Sequence, residues 1–291
     1  MKRYEFIFAW KAVWSLQSLC RVLEVSRSGW YDWMRGKTSV RRERLKRFDL
    51  KVKDAFDGSH RRYGSRRLVV ELIAEGAGPS RSTVVRSLQR QGLQARRRRR
   101  FVVTTDSRHE DPIAPNLLNR DFAPQGPNLV WAGDITYIPT AEGWLYLAVL
   151  IDLWSRRIVG FAMSDHIDRQ LVMDAFRDAV GQRNPPRGLM HHTDRGSQYT
   201  SSDYQEMLDD AGVVSSMSRK GNCWDNAPSE SVFSTIKTEL RIEQPFASRD
   251  EARDEVFRYI VWYNRHRRHS FLNYLSPAAF EQNNLLEMAA A

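Results

Sequence analysis

One segment of the sequence reads Val130-Trp131-Ala132-Gly133-Asp134-Ile135-Thr136-Tyr137-Ile138, and further strand and helix patterns follow it. Its β-branched and aromatic side chains favour a strand, and the carboxylate of Asp134 interrupts a run that otherwise favours burial. A charged group that is carried into a folded core needs a partner. The segment therefore predicts a strand that carries a polar site.

Strand and helix patterns alternate after this segment, and each is bounded by glycine, proline or charged turns. Three consecutive strands followed by helix, strand, helix, strand and a long helix predict an α/β fold of the ribonuclease H type, with a mixed five-stranded sheet and flanking helices. The later strands are predicted at residues 144–151, 157–163, 188–193 and 213–217, and the helices between them at 168–180 and 202–211.

The N-terminal part of the chain shows helical periodicity instead. Two helices, predicted at 64–75 and 80–92 with Ser80 as the N-cap of the second, are separated by Gly76-Ala77-Gly78-Pro79, which predicts an all-α, helix-turn-helix-like region. The predicted divisions of the chain are a small helical module at 1–40, a helix-turn-helix-like segment with an Arg-rich arm at 41–100, a linker at 101–121 and an α/β core at 122–286.

Charge is divided unevenly along the chain, which has 45 basic and 35 acidic side chains and a net charge of +10. Residues 1–111 hold 27 basic and 12 acidic side chains, a net charge of +15, whereas residues 112–291 hold 18 and 23, a net charge of −5. Arginine supplies 37 of the 45 basic residues, which favours bidentate recognition of phosphate. The basic part is therefore predicted to bind a polyanion.

The arginines are densest between His60 and Arg100, a stretch that contains 12 arginines and only two acidic residues, Glu71 and Glu75. A solvated helix surface is the plain alternative, but the five consecutive arginines at the end of the stretch favour binding to DNA phosphates. Base readout and backbone contact both stay open. The candidate DNA contacts are Arg81, Arg86 and Arg90 on the second helix, and Arg96, Arg97, Arg98, Arg99 and Arg100 in a flexible arm.

Several classes of protein are excluded by composition. The longest apolar run, Trp144 to Ile151, has eight residues, far fewer than the ~20 that a membrane helix needs. No small-residue cleavage site follows the apolar patch at residues 6–10, so we expect a cytoplasmic protein with no membrane association. Cys20 and Cys223 form neither a disulfide framework nor a zinc-ligand spacing.

Two further carboxylates lie where ligands gather in α/β proteins. Asp194 ends the fourth predicted strand, and Gly196 allows a tight turn and a close backbone approach after it. Glu230 is predicted in the first turn of the long helix, where the helix dipole favours an anion, with Asn226 as a plausible N-cap. Lys237 follows seven residues later on the same face, so Glu230 and Lys237 should address the same ligand.

Each carboxylate alone has an ordinary explanation, since Asp134 could cap a turn, Asp194 could be a loop residue and Glu230 could stabilise its helix. If all three converge, mutual repulsion opposes ionisation unless a cation intervenes. Hard oxygen ligands without cysteine select Mg²⁺ or Mn²⁺ over zinc. The sequence therefore predicts a site for Mg²⁺ or Mn²⁺.

Three segments, at 131–137, 192–200 and 221–237, resemble the catalytic core of bacterial transposases of the insertion-sequence-three family, relatives of retroviral integrases. The resemblance includes Tyr263-Asn264-Arg265-His266-Arg267-Arg268-His269 and Leu275-Ser276-Pro277, and it covers at least residues 121–280. Residues 63–93 look like the helix-turn-helix segment of that family, though less distinctively.

The resemblance implies a DNA transposase that cleaves a 3′ end and transfers the strand, with Asp134, Asp194 and Glu230 as the catalytic and metal-binding triad. It implies an integrase-type catalytic core at 122–286, transposon-end and target DNA as partners, and a homo-oligomer that brings two ends together. In this family the full-length enzyme is often a frameshifted fusion to an upstream protein. The chain looks like the second-frame protein, acting in the bacterial cytoplasm and nucleoid-associated when bound to DNA.

Two alternatives remain open at this point: a DNA-binding regulator of the element without chemistry, and a ribonuclease H-like nuclease that does not join. Lys237 is a candidate phosphate or base contact, and Arg267 either contacts DNA or supports its helix. We interpret Asp152 as a turn residue that pairs with Arg156 or Arg157. We interpret His191 and His192 as structural residues, and the role of Asp225 is open.

Overall fold

The structure, a computed structural model, describes residues 2–36, 40–96, 112–219, 223–242 and 244–290. The chain divides into two compact units, Met1–Ala95 and Arg96–Ala291. Most of the predicted arginine arm, at residues 97–100, lies outside the described residues. Within the described ranges, none of the helices combines the length and apolar character that a membrane span requires.

The first unit is helical. The small helical module predicted at residues 1–40 is present. Its described part contains three short helices, in which the apolar patch at residues 6–10 buries Ile7 against Leu19, Cys20 and Trp30. The helices are α1 (Lys2–Trp10), α2 (Leu16–Val22), α3 (Arg27–Met34), α4 (Val40–Gly58), α5 (Ser65–Ala74) and α6 (Arg81–Arg90).

Helices α4, α5 and α6 each pack against the other two. Their buried side chains recur at helical spacing, with Leu68 and Leu72 on α5 and Val84 and Leu88 on α6. The predicted cap is present, since the Ser80 hydroxyl accepts a hydrogen bond from the Thr83 N–H at 3.3 Å. The helix-turn-helix-like prediction for this region is confirmed.

The second unit has the predicted α/β architecture. Its strands are β1 (Val130–Thr140), β2 (Gly143–Asp152), β3 (Ile158–Ser164), β4 (Met190–Thr193) and β5 (Val214–Met217). Its helices are α7 (Arg169–Arg183), α8 (Ser197–Thr200), α9 (Ser202–Asp210), α10 (Ala227–Leu240), α11 (Arg249–Arg265) and α12 (Pro277–Ala290).

Within the described residues these strands form a five-stranded sheet in the order β3-β2-β1-β4-β5. The pairs β1–β2 and β2–β3 are antiparallel, and the pairs β1–β4 and β4–β5 are parallel. The fold class is confirmed, and each predicted strand matches an observed one to within a few residues. Helices α11 and α12 were not predicted, because α11 is highly charged and its apolar stripe is narrow.

Both faces of the sheet are covered, which gives three layers. On one face Trp131 and Leu150 pack with Phe176 of α7 and Tyr204 of α9. On the other face the opposite side chains of the same strands pack against α10 and α11, with Ile138, Leu147, Ile236 and Tyr259 among the buried residues. The alternation of side chains along β1 and β2 therefore serves two separate cores.

Residues 112–121, which belong to the predicted linker at 101–121, lie against the sheet. Leu118 is buried with Ala132 and Leu153. The backbone N–H groups of Leu117 and Leu118 donate to the Ser216 hydroxyl of β5 at 3.0 and 3.3 Å. This stretch, the strap, therefore packs as part of the second unit.

His191 makes the stability of the second unit sensitive to pH. Its ring is buried, and Nε2 lies 2.8 Å from the Tyr204 hydroxyl in a hydrogen bond. The ring packs against Gly133, where an added Cβ would lie only 2.6 Å from His191 Cε1. Burial lowers the pKa of His191 to about 3 from its ordinary 6.5. Between pH 6.5 and about pH 3, His191 is therefore protonated in the unfolded chain but neutral in the native one. The free energy of unfolding consequently decreases as pH falls through this range.

We expect His191→Asn to flatten the pH dependence of the free energy of unfolding below pH 6.5, by about 1.4 kcal/mol per pH unit. Urea unfolding at a series of pH values measures this slope. His166→Asn is the control, since its side chain is 78% exposed. An unchanged slope in the His191 variant would contradict the assignment.

Candidate active site

The site lies where two parallel strands separate. β4 pairs with β1 only from Val130 to Ala132, so the edge of β1 is open beyond that point. Asp134 lies on this open stretch, and Asp194 follows the last residue of β4. Ligand sites of α/β sheets form at such divergences beyond the carboxyl ends of strands, and the topology places both carboxylates there.

Asp134 carries the clearest electrostatic signature. Its carboxylate accepts a hydrogen bond from the Ile135 N–H at 2.8 Å. Burial raises its pKa well above the usual range, and the negative charges of Asp194 and Glu230 raise it further. Asp194 and Glu230, which are far from Asp134 along the chain, therefore both act on it through space.

Asp194 is held by the turn that follows it. The Gly196 N–H donates to its carboxylate at 2.9 Å, and a Cβ on Gly196 would lie 3.1 Å from the same oxygen. Tyr199 is buried beside the site, and its pKa is raised well above the usual range by burial and then by the charges of Asp134 and Asp194. The close approach that the sequence predicts for Gly196 is therefore made by Asp194 itself.

Glu230 lies in the first turn of α10, as predicted. Pro228 occupies that turn, but the Asn226 side chain makes no capping hydrogen bond. Within the described residues, Asn226 Oδ1 and Ser229 Oγ are buried without a hydrogen-bond partner. The first turn of this helix is therefore held mainly by contacts other than a side-chain cap.

Lys237 lies two turns further along α10 and is 8% exposed. Its Nζ is 4.5 Å from the centre of the Tyr137 ring, a cation–π contact. Burial lowers the pKa of the ammonium, and the charge of Asp134 opposes that change. The lysine thus lies beside the carboxylates, and the expectation that Glu230 and Lys237 share a ligand site is compatible with this position.

The carboxylates are close but are not already arranged as metal ligands. In the part of the chain that the structure describes, no group of three or more His, Cys, Asp or Glu side chains has the geometry to hold a metal ion. The donor chemistry nevertheless fits a hard cation, because all three groups are carboxylates and their charges raise the pKa of Asp134.

Comparison with known proteins places the chain in a family. The family described as "Integrase core domain" matches residues 124–223, a second one of the same description matches residues 211–277, and "HTH-like domain" matches residues 41–101. The Transposase InsF for insertion sequence IS3A of Escherichia coli (strain K12) is 47% identical over 286 residues, which are 97% of this chain and 99% of that protein. The chain belongs to the insertion-sequence-three family of transposases.

A second relative of this transposase is the insertion element IS600 uncharacterized 31 kDa protein of Shigella sonnei, 44% identical over 91% of this chain and 97% of that protein. Among solved structures, the simian T-cell lymphotropic virus intasome in complex with PP2A regulatory subunit B56 gamma has a TM-score of 0.43 at 16% identity, over 74% of this chain and 68% of that chain. The HTLV-2 integrase catalytic core domain in complex with magnesium has a TM-score of 0.42 at 16% identity, over 54% and 98%.

Asp225 of the transposase anchors the segment before α10, a role that the sequence left open. It is 0% exposed. Hydrogen bonds from Arg219 hold the pKa of its carboxyl well below the usual range. It accepts bonds from Asn116 Nδ2 at 2.9 Å, Arg120 Nε at 2.7 Å, and the Arg219 backbone N–H, Nε and a terminal guanidinium nitrogen at 3.1, 2.8 and 2.8 Å.

The same anchor reaches the sheet. His192 Nε2 lies 3.1 Å from the Asp225 carbonyl oxygen, and its Nδ1 lies 2.9 Å from the hydroxyl of Ser216. Ser216 also accepts the two N–H groups of the strap. The Asp225 clamp, comprising Asp225 with Asn116, Arg120, Arg219 and His192, thus ties the strap, β4 and β5 to the segment that leads into Glu230.

Other predictions near the site have clear outcomes. His191 and His192 are buried and hydrogen-bonded within the fold, in agreement with a structural role. Asp152 is a turn residue that accepts from the N–H groups of Asn128 and Trp154 at 2.7 and 2.8 Å. Its predicted pairing in the turn is made through the backbone, since the Arg156 N–H donates to the Asp152 carbonyl at 2.8 Å and the Asp152 N–H donates to the Arg157 carbonyl at 2.9 Å. The ion pair of its carboxylate is with Arg183 at 3.7 Å instead.

Two arginines predicted to contact DNA are engaged within the fold. Arg267 is 4% exposed and binds Glu239 through Nε and a terminal nitrogen at 3.1 and 2.9 Å, so the prediction of a DNA contact is wrong and Arg267 supports the packing of α10. Arg90 donates from Nε to Asp49 of α4 at 3.0 Å, and we do not retain it as a DNA contact. Charge alone could not reveal either partner, since each is distant in sequence.

Arg81 and Arg86 remain exposed on α6. Arg81 Nε donates to the Ser65 hydroxyl at 3.3 Å, and Arg86 Nε donates to the Ser82 carbonyl at 3.3 Å. These single, long bonds leave most of each guanidinium available. Arg96 is partly buried, and the other arm residues lie outside the described ranges, so the predicted contacts of the arm stay predictions.

The Asp225 clamp gives a test of this local architecture. We expect Asp225→Ala to lower the free energy of unfolding by about 2 kcal/mol, because the Asn116 amide and the Arg219 backbone N–H lose their charged acceptor, whereas the half-exposed guanidinium groups can be hydrated. Chemical denaturation of the second unit measures the change. The matched control is Asp174→Ala, whose pair with Arg177 is about half exposed and should contribute less than about 1 kcal/mol. Equal losses in the two variants would contradict the anchoring role.

Proposed function

We propose that this transposase cleaves the 3′ ends of its element and joins them to target DNA, using Asp134, Asp194 and Glu230 to bind two Mg²⁺ or Mn²⁺ ions. The observation that carries the proposal is the mutual effect of the three carboxylates, in which Asp194 and Glu230 raise the pKa of Asp134. Bringing three carboxylates together is costly in a fold, and bound divalent ions would remove that cost. Family membership supports DNA as the substrate.

The three carboxylates and Lys237 would have different tasks in the reaction. Asp134, Asp194 and Glu230 would together hold the two ions. The ions, when bound, would activate water or a 3′-hydroxyl and stabilise the leaving oxygen in an in-line displacement. Lys237 would bind a phosphate or base of the terminal nucleotides from its position beside Asp134. Water attack frees the 3′ end, and that end then attacks a second phosphodiester without a covalent protein intermediate.

The first unit would hold the DNA. Arg81 and Arg86 on α6, with the arm at residues 96–100, are proposed to bind phosphates of the element ends. Two ends must be held together for joining, so a homo-oligomer is proposed, and the protein encoded in the upstream frame is a further proposed partner. The proposal includes action on DNA in the bacterial cytoplasm.

The catalytic assignment is tested with the full chain, DNA that carries the element ends, and Mg²⁺. We expect Glu230→Gln to lower the rates of cleavage and joining by more than about 100-fold, because even the loss of an outer partner of a metal ligand commonly costs 10- to 100-fold. Gel analysis of labelled DNA measures both steps. Glu206→Gln, an isosteric change at an exposed position of α9, is the control.

Each result of that experiment has a definite meaning. Joining that persists in Glu230→Gln would overturn the triad. Cleavage without joining in the unaltered protein would favour a nuclease, and DNA binding without either step would favour a regulator. Loss of both steps in Glu230→Gln alone, with DNA binding retained, is the result that we expect.

The DNA contacts are tested by the salt dependence of binding. We expect Arg81→Ala and Arg86→Ala each to make the slope of log K against log salt shallower by about 0.9, the amount for one phosphate contact on a duplex. Replacing all five arm arginines by alanine should have a larger effect of the same kind. Arg90→Ala should change the slope less, since Asp49 already engages this side chain. Unchanged slopes in the first two variants would remove α6 from the interface.

A further inference from the structure

A second feature, in the segment that leads into α10, is an exposed tryptophan on a fixed support. Trp224 lies on the short 3-10 helix Cys223–Asn226 and is 70% exposed. The two residues that follow it, Asp225 and Asn226, are 0% and 6% exposed. The indole therefore projects into solvent from a backbone that is held by the Asp225 clamp.

The exposure of Trp224 is unusual for its unit. Among the large hydrophobic side chains described in the second unit, it has the highest exposed fraction, above Leu286 at 65% and Phe271 at 58%. Tryptophan has a large apolar surface, and leaving it in water forgoes the free energy of burial. Trp224 belongs to neither core of the sheet, and an exposed aromatic surface of this size is suited to contact with a ligand.

The surroundings of Trp224 indicate the chemistry of that ligand. It lies six residues before Glu230, in the segment that leads directly into α10. Arg120 and Arg219, which both bind Asp225, keep 43% and 50% of their side chains exposed. Two guanidinium groups around one carboxylate leave a net positive charge, which favours a phosphate backbone next to the indole.

A flat aromatic surface beside a phosphate contact matches one part of DNA. Bases present their faces only where they are unpaired or at the end of a duplex, since elsewhere each face is covered by its neighbours. Stacking of such a base on an aromatic side chain is tolerant of sequence and contributes about 1–3 kcal/mol. The proposed cleavage and joining create free ends next to the carboxylates, so a base of this kind is present during the reaction.

We propose that Trp224 is a stacking site for one terminal or unpaired DNA base next to the scissile phosphate, held in place by the Asp225 clamp. This inference rests on the proposed function, because it takes DNA ends as the substrate. A second copy of the chain is the other occupant that an exposed indole could have, and the experiment separates the two.

The test measures binding of the full chain to a labelled duplex with a 3′ overhang of two thymidines, and to the same duplex with abasic residues in the overhang. Both probes carry the same phosphates, so the ratio of their Kd values reports the bases alone. For the unaltered protein we expect the thymidine overhang to bind about 5- to 150-fold more tightly, the ratio that corresponds to 1–3 kcal/mol.

In Trp224→Ala this preference should fall to near one while the affinity for the abasic probe is retained, which also shows that the protein is folded. Trp224→Phe should keep most of the preference, and Phe257→Ala, which removes another exposed ring of the same unit, should keep all of it. No preference in the unaltered protein, or an equal loss for both probes, would overturn the proposal. A change of oligomeric state in Trp224→Ala, with the base preference unchanged, would assign the indole to a second copy instead.

The outcome can be separated from that of the proposed function. Glu230→Gln should retain the preference for the thymidine overhang although it loses cleavage. If cleavage depends on Glu230 but no base preference exists, stacking fails and the proposed function stands. If cleavage persists in Glu230→Gln, the proposed function fails, whatever the overhang experiment finds.

Discussion

The repulsion among Asp134, Asp194 and Glu230 is the constraint on which the rest of the second unit depends. Burial and the two neighbouring charges raise the pKa of Asp134, so assembling the three groups opposes folding. The carboxylates come from a strand, from a turn after a second strand and from a helix. The sheet, with cores on both faces, provides the rigidity that holds elements of such different origin together.

Asp225 is a buried acid whose charge is stabilised by its neighbours. Its carboxylate accepts hydrogen bonds from Asn116 and Arg120 of the strap and from Arg219, whereas Asp134 experiences burial and the negative charges of Asp194 and Glu230. The contrast in pKa, lowered for Asp225 and raised for Asp134, follows from these neighbours. An acid that is paired within the fold stabilises it, and an acid that is left for a ligand does not.

The partners of several charged residues could not be predicted from the sequence. Arg267 and Arg90 resemble DNA contacts by charge, yet each is bound to an acid on another helix. Glu239 precedes Arg267 by 28 residues and Asp49 precedes Arg90 by 41, and no periodicity connects such pairs. The strap was predicted as linker because its prolines suppress periodicity, but hydrogen bonds to Ser216 and Asp225 hold it on the sheet.

The sequence by itself determined the order of strands and helices, the charge division, the helix-turn-helix-like region and the three carboxylates as candidates. These properties reside in local patterns of polarity and in turn residues, which act over a few positions. Only the tertiary structure decided that Asp225 is paired with arginines, that Asp194 and Glu230 act on Asp134, and that Trp224 projects from a clamped backbone. Pairing and exposure depend on groups brought together from distant parts of the chain, and those contacts exist only once the sheet has formed.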